Sequence, residues 1–296
     1  LKRPGFDWAL PGGRLRLDGR TLIMGVVNVT PDSFHDGGRH LEPEKAIERA
    51  WRLIEEGADV IDLGGESTRP FSDGVSQAEE LERVLPVIEA LAGKSPVPLS
   101  IDTVKAGVAR RALEAGAGII NDISGLGADP AMIPLAARTG AGVVLMHMRG
   151  SPKDMQLRTD YSDLIAEIKA ELKSALQAAL AGGVRPEAVV LDPGIGFAKK
   201  PEHNLEIIRR LPEFLDLGRP LLVGASRKSF TGRVLEGRGL AHQTEDRLLA
   251  SLAAAALAAF QGAHLVRVHD VAETRQALAL ADAVREGRLP EVEQRG

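Results

Sequence analysis

The sequence predicts one (β/α)8 barrel of the TIM type, and three observations carry that prediction. Eight short β-branched or aliphatic runs alternate with longer helical stretches along the 296 residues. The runs are continuously apolar, as strands are when helices cover both faces of a parallel sheet. Nearly every run ends in a polar group: Asn28, Asp62, Asp102, Asn121, His147, Asp192, the Ser226/Lys228 turn and Arg267. An open doubly wound sheet binds its ligand at one switch point. A barrel instead gathers all eight C-terminal strand ends around a single mouth, so polar residues at every end favour the barrel.

The elements follow in order. A first strand is read at residues 21–28 (TLIMGVVN), then a Gly/Asp/Ser loop and a helix from about residue 44 to 56. A second strand at 58–65 (ADVIDLGG) leads through a polar loop into a helix from about 77 to 92. Further strands are expected at 97–102, 118–122, 142–147, 188–192, 220–224 and 264–269, each followed by a helical stretch. The mean step from Asn28 to Arg267 is about 34 residues, the size of one right-handed βαβ unit. No composition shift or long linker divides the chain. Residues 1–20 are read as an N-terminal lead-in and 21–290 as one barrel domain.

Composition narrows the function classes. The formal charge of −4 gives no footprint for nucleic acid, which calls for a strongly basic face. With 0 cysteines, disulfides, thiolate metal sites and a cysteine nucleophile are excluded. The longest apolar run, 252–260, is far short of the roughly 20 residues of a membrane span. The N-terminus lacks an apolar signal region, so a soluble cytoplasmic protein is expected. Seven Phe, two Trp and one Tyr leave the core to aliphatic residues. No P-loop, GxGxxG, GxSxG or HExxH is present.

Four constellations carry chemistry. The first loop, NVTPDSFHDGG at 28–38, places Phe34 where no helical or strand period would bury it, as in a lid. The second, DLGGESTRP at 62–70, is long because its helix starts only near Gln77, and Arg69 beside Pro70 can set a cation over an anionic substrate. Asp102, Asn121 and Asp192 each end an apolar run. One such residue would be an ordinary helix cap, but three around one mouth suit a flat heterocycle with ring N–H, NH2 and C=O groups. A carboxylate accepts two parallel bonds from an amino-amidine edge, and an amide both donates and accepts. Finally GASRKS at 224–229 and RVHDV at 267–271 bring Lys228, Arg267 and His269 into a positive corner, with Asp270 and Glu273 read as a capping box. Strands seven and eight of such barrels often frame a phosphate site beside a helix N-terminus.

Taken together, GVVNVTPDSFHDGG, GADVIDLGGESTRP, SIDT, NDISG, LDPGIGF, GASRKSF and RVHDV resemble the dihydropteroate synthases of the pterin-binding barrel family. The resemblance runs from about residue 21 to 278, with all seven blocks in order. It departs at His35, where the family usually has Ser, and at Phe71 and Ser72, where it usually has Gly and a small residue.

The resemblance implies condensation of 6-hydroxymethyl-7,8-dihydropterin diphosphate with p-aminobenzoate, with loss of diphosphate. It implies that Asp102, Asn121, Asp192 and Lys228 hold the pterin edge, while Arg267 stacks on its face and touches the diphosphate. Asn28 is expected to bind Mg2+ and diphosphate, with His269 beside it. Thr68, Arg69, Pro70 and Ser229 fall to the p-aminobenzoate side. The group expected to act in catalysis is Asn28, Asp102, Asp192, Lys228, Arg267 and His269.

An early-leaving, cation-like path would ask the protein to neutralise diphosphate and exclude water, with Asp102 and Asp192 kept ionised and no strong general base. The alternatives are a non-catalytic pterin-binding paralogue, or a folate-binding methyltransferase domain on the same barrel. Asn28, Arg69, Arg267 and His269 together favour the synthase. The resemblance implies the two small-molecule substrates as partners and a homodimer, while the Ala-rich stretch at 248–260 offers a small-residue face for either a neighbouring helix of the barrel or a second copy of the chain. No nucleic acid or membrane is expected. Of the Phe residues, Phe34, Phe71, Phe197 and Phe230 fall in or beside the loops at the mouth.

Overall fold

The computed structural model describes residues 3–30, 41–69, 71–240 and 247–289. The apolar runs become β3 (Leu22–Asn28), β4 (Val60–Gly64), β5 (Leu99–Asp102), β6 (Ile119–Asp122), β7 (Gly142–Met146), β8 (Val189–Asp192), β9 (Leu222–Val223) and β10 (Leu265–Val268). They pair in parallel in the order β8-β7-β6-β5-β4-β3-β10-β9, and a parallel bridge between Leu191 and Leu221 joins the two ends. Leu191 N–H donates to the Pro220 carbonyl at 2.9 Å on that seam. The result is the expected barrel of eight parallel strands.

The helices are α1 (Leu41–Glu56), α2 (Gln77–Leu91), α3 (Ala106–Glu114), α4 (Met132–Thr139), α5 (Leu164–Ala181), α6 (Pro201–Arg209), α7 (Ser229–Glu236), α8 (Leu248–Phe260) and α9 (Val271–Glu286). The long second loop is real: α2 starts at Gln77, where Ser76 Oγ accepts from Glu79 N–H at 3.2 Å. Two points differ from the sequence reading. β9 is followed by two helices, α7 and α8, rather than one. Asp270 stands at the N-cap of α9, but its side chain makes no capping bond. Its carboxylate faces Arg227 instead, at 2.5 Å and 3.1 Å, and an ion pair on that side takes the oxygens a capping box would use.

The lead-in has its own structure. β1 (Phe6–Leu10) and β2 (Gly13–Leu17) form an antiparallel hairpin whose Trp8 and Leu17 are fully buried. Trp8 packs with Leu22, Met24, Val60, Ile119, Val144, Val190, Leu222 and Leu265 in one cluster, and its indole N–H donates to the Ala188 carbonyl at 2.8 Å. These are the inward-facing residues at the N-terminal ends of the strands, so the hairpin plugs the barrel from below. Because strand side chains alternate in direction, the next inward residues upward are Asp62 on β4, Asn121 on β6, Asp192 on β8 and Arg267 on β10. The inside of the barrel therefore changes from apolar to charged in one step of two residues. The other strand faces pack under the helices in the main aliphatic core, which includes Ile61, Leu63, Ile101, Val143 and Val266.

Candidate functional site

At the upper end of the barrel the strand-end groups converge. Arg267 extends from β10 between two carboxylates: Nε donates to Asp62 Oδ2 at 2.6 Å and Nη2 to Asp102 Oδ2 at 2.7 Å. Asn121 Nδ2 donates to the same Asp62 oxygen at 3.0 Å. Asp102 and Asn121 are register partners on β5 and β6, and Gly64 on β4 is the register partner of Asp102. A Cβ at Gly64 would lie 3.7 Å from Asp102 Oδ2 and 3.8 Å from Asn28 Oδ1. The glycine thus keeps open the space that Asn28 and Asp102 share.

Across the mouth, Asp192 ends β8 and accepts from Gly194 N–H at 2.7 Å. The loop that follows is tightly wound, with Gly194, Gly196 and Ala198 all at positive φ (73°, 80° and 51°). A Cβ on Gly194 would stand 2.0 Å from the His147 carbonyl oxygen, so only glycine lets this loop lie on the end of β7. The loop presents Phe197, and the Lys228 ammonium sits 4.0 Å from the centre of its ring. Lys228 is the residue just before α7, and Ser229 opens that helix.

The electrostatics follow from burial. Loss of solvent pushes the Asp102 carboxyl up to about 7, against the pull of Arg267, and the Asp192 carboxyl up to about 6. Burial lowers Lys228 to about 8, aided by Arg267. Burial thus opposes the charged form of both acids, and a cationic or amidine-bearing ligand would favour it. Burial also brings His269 down to about 3. Its Nδ1 lies 3.1 Å from Ser226 Oγ. The corner thus carries a neutral imidazole, and its positive charge belongs to Arg267, Lys228 and Arg227.

Three of the groups expected on the p-aminobenzoate side make no such junction. Thr68, Arg69 and Ser229 have no hydrogen bond or ion pair to the Asp102–Arg267 cluster. Arg69 is exposed, on a turn that Ser72 Oγ closes by donating to the Ser67 and Arg69 carbonyls at 2.7 Å and 2.8 Å. Pro70 and Phe34 lie outside the described residues. Phe71, at φ 64°, leaves its ring 66% exposed above the loop, whereas Phe230 is buried in the main core and does not face the mouth.

Two groups emerge that the sequence reading did not assign to the site. Asp62 is one, fully buried. Lys199 is the other: its ammonium donates to the Phe197 carbonyl at 2.9 Å and to His147 Nδ1 at 3.0 Å. With Nδ1 accepting, His147 Nε2 carries the proton and donates to Glu171 Oε2 at 3.0 Å. Burial lowers Lys199 to about 7 and His147 to about 4. His147 thus faces α5 and the loop rather than the barrel interior. A cavity of about 330 Å³ beyond it, lined by residues including Met148, Arg149, Arg158 and Glu171, shares none of the strand-end acids.

A family model described as "Pterin binding enzyme" matches residues 24–269. The chain is 46% identical over 281 residues to dihydropteroate synthase of Synechocystis, covering 94% of this chain and 96% of that protein. Among solved structures, Xanthomonas albilineans dihydropteroate synthase with 4-aminobenzoic acid is similar at a TM-score of 0.87 and 44% identity, covering 96% and 99% of the two chains. The same organism's enzyme in complex with 7,8-dihydropteroate is similar at 0.83 and 43%, covering 94% and 98%.

Proposed function

The chain belongs to the pterin-binding enzyme family and, within it, to the dihydropteroate synthases, and on that premise we propose how its barrel mouth performs the reaction. It is a transferase that joins 6-hydroxymethyl-7,8-dihydropterin diphosphate to p-aminobenzoate and releases diphosphate. The convergence of Asp102, Asn121, Asp192, Lys228 and Arg267 on one mouth carries the assignment of residues. The acids and the amide take the amino-amidine edge of the pterin, and Lys228 takes its carbonyl side. Arg267, already flat between two carboxylates, offers its guanidinium face to the ring and its charge to the diphosphate. The attacking aryl amine is neutral and gives up its proton after the C–N bond forms, so no residue is required as a strong base.

Among the described residues no group of three or more His, Cys, Asp or Glu could hold a metal ion. That donor set fits Mg2+ only as a cation carried in on the diphosphate, since Mg2+ binds through one or two protein oxygens, substrate phosphates and water. Asn28 Oδ1 would hold it, with neutral His269 donating to diphosphate beside it. When bound, the ion would neutralise charge on the leaving diphosphate. Thr68, Arg69, Pro70 and Ser229 are assigned to the p-aminobenzoate side.

The homodimer is part of the same proposal. The small residues of α8 (Ser251, Ala254, Ala255, Ala258 and Ala259) face inward, which leaves Leu249 and Leu257 outward, 77% and 56% exposed. Leu280 and Val284 on the neighbouring α9 are 69% and 59% exposed. Aliphatic groups at that exposure on two adjacent helices suit a self-complementary interface. No helix among the described residues is long and apolar enough to cross a membrane. We place the protein in the cytoplasm, whose reducing conditions suit a chain with 0 cysteines.

The direct test mixes the protein with the pterin diphosphate, p-aminobenzoate and Mg2+ and follows diphosphate release. Release that depends on p-aminobenzoate is expected. Tight pterin binding without such release would overturn the reading in favour of a binding-only paralogue. Loss of release on chelation, with weaker Mg2+ dependence in Asn28→Ala, is expected if Asn28 holds the ion.

A further inference from the structure

We propose that Asp62 is a positioning residue that fixes the order of donors and acceptors which Asn121 and Arg267 present to the pterin. The inference rests on the pterin site described above and goes below it. Asp62 pairs in register with Ser100, while Gly64 pairs with Asp102. Asp62 therefore lies one inward position below Asp102 in register and acts through other residues.

Its Oδ2 accepts from both Arg267 Nε (2.6 Å) and Asn121 Nδ2 (3.0 Å), tying together the ends of β4, β6 and β10. A carboxamide has two faces of nearly equal shape, and a half-turn exchanges its oxygen for its nitrogen. A carboxylate can only accept, so Asp62 allows one of those faces. One Asn121 N–H is committed below, and the other N–H and Oδ1 are left for the ligand in a fixed order. The same oxygen holds the Nε edge of Arg267 while Asp102 holds Nη2, so two strands set the plane of the guanidinium.

The burial supports this reading. Asp62 is 0% exposed, and its Oδ1 has no hydrogen-bond partner among the described residues. A carboxylate in that state is costly, and the layer beneath it is filled by apolar residues such as Val60 and Met24 at no such cost. The consequence is selectivity. A ring of pterin shape with donor and acceptor exchanged along that edge leaves buried groups unpaired, which discriminates far more strongly than shape does.

The test compares Asp62→Asn with Asp62→Ala. Asp62→Asn keeps an oxygen for both donors and puts its NH2 where Oδ1 now lacks a partner, so the KM for the pterin diphosphate should stay within about threefold of wild type. Asp62→Ala removes the acceptor and should raise that KM at least about tenfold, the loss of roughly one hydrogen bond. The KM for p-aminobenzoate should stay within about twofold in both variants. An unchanged pterin KM in Asp62→Ala, equal losses in the two variants, or a parallel rise in both KM values would overturn the proposal. If Asp62→Ala does not fold, Asp62→Ser is too short to reach either donor and should behave as Ala was expected to. Calorimetric binding of the pterin diphosphate alone reads the same series without turnover. A wild type that binds but releases no diphosphate would sink the functional reading while leaving Asp62 to be judged by those affinities.

Discussion

Arg267 donates from Nη2 to Asp102 Oδ2 across 2.7 Å, so the carboxylate we propose for the pterin edge is already paired with the cation we propose to stack on the ring. On that proposal the substrate shares Asp102 with Arg267. Burial nevertheless holds Asp102 at about 7 and Asp192 at about 6, and lowers Lys228 to about 8. An acid gains its charge above its pKa, and an ammonium loses its charge above its own. The kcat/KM for the pterin diphosphate reports the free enzyme. It should rise as pH climbs through about 6 to 7 and fall once pH passes about 8. Asp192→Asn should remove the lower part of the acid limb. A flat profile between about pH 6 and 9 would contradict these assignments.

Lys228 is held from two sides, by the Phe197 ring at 4.0 Å and by the loop at Gly196, where a Cβ would come 3.0 Å from Lys228 Cδ. Lys228→Ala should lower kcat/KM for the pterin diphosphate by roughly 10- to 150-fold, the equivalent of about 1.5–3 kcal/mol for a hydrogen bond from a charged group. Lys228→Arg should not restore activity, because the larger planar head has no room between ring and loop. Steady-state kinetics on the two variants check this, and full activity in Lys228→Arg would show that charge alone suffices.

Arg69 presents a different case, since its backbone is anchored by Ser72 while its side chain is exposed. An exposed cation at the rim can order over an anionic second substrate without preforming a contact. Arg69→Ala should raise the KM for p-aminobenzoate several-fold, by about 1 kcal/mol, and leave the pterin KM within about twofold. If neither KM moves, the second loop does not bind p-aminobenzoate through this residue.

What the sequence could disclose follows from how local each feature is. Strand ends at Asn28, Asp102, Asn121, Asp192 and Arg267 were legible because an apolar run that stops at a polar residue needs no knowledge of neighbours. Asp62 looked like one more such end. Its place a layer lower depends on the stagger between β4 and β5, which only the register reveals. Lys199 was hidden for a similar reason. A lysine in a Gly-rich loop reads as solvated, and its burial arises from three positive-φ residues that fold the loop back onto His147. Asp270 erred in the opposite direction, because its spacing to Glu273 matched a capping box while Arg227, 43 residues away, took its oxygens. The N-terminal hairpin alternates apolar residues at Phe6, Trp8 and Leu10 and again at Leu15 and Leu17, but nothing local indicated that they close a barrel.

That plug carries its own prediction. Trp8 is fully buried against the inner residues of the lower barrel and donates to Ala188. Trp8→Ala should cost about 3–5 kcal/mol of stability, read as a lower urea midpoint. The KM values for both substrates should hardly change in protein that remains folded, because the strand-end acids lie at the other end of the barrel. A large change in pterin KM with unaltered stability would mean that the plug shapes the site instead.

The outward leucines of α8 and α9 test the assembly. Leu249, Leu257, Leu280 and Val284 lie on two packed helices whose small residues already face inward, so the Leu face has no partner within the described residues of one chain. Burying a side chain of that size is worth about 1.5–3 kcal/mol, and a two-fold interface buries each twice. The wild type should therefore sediment as a dimer at micromolar concentration. Leu257→Glu combined with Leu280→Glu should yield a monomer, since four carboxylates would then face one another across the axis. The far-UV spectrum of that variant should match wild type, because neither residue contributes to the chain's own core. A wild type that sediments at the mass of one chain would remove the dimer from the proposal, and the apolar face would then require some other cover.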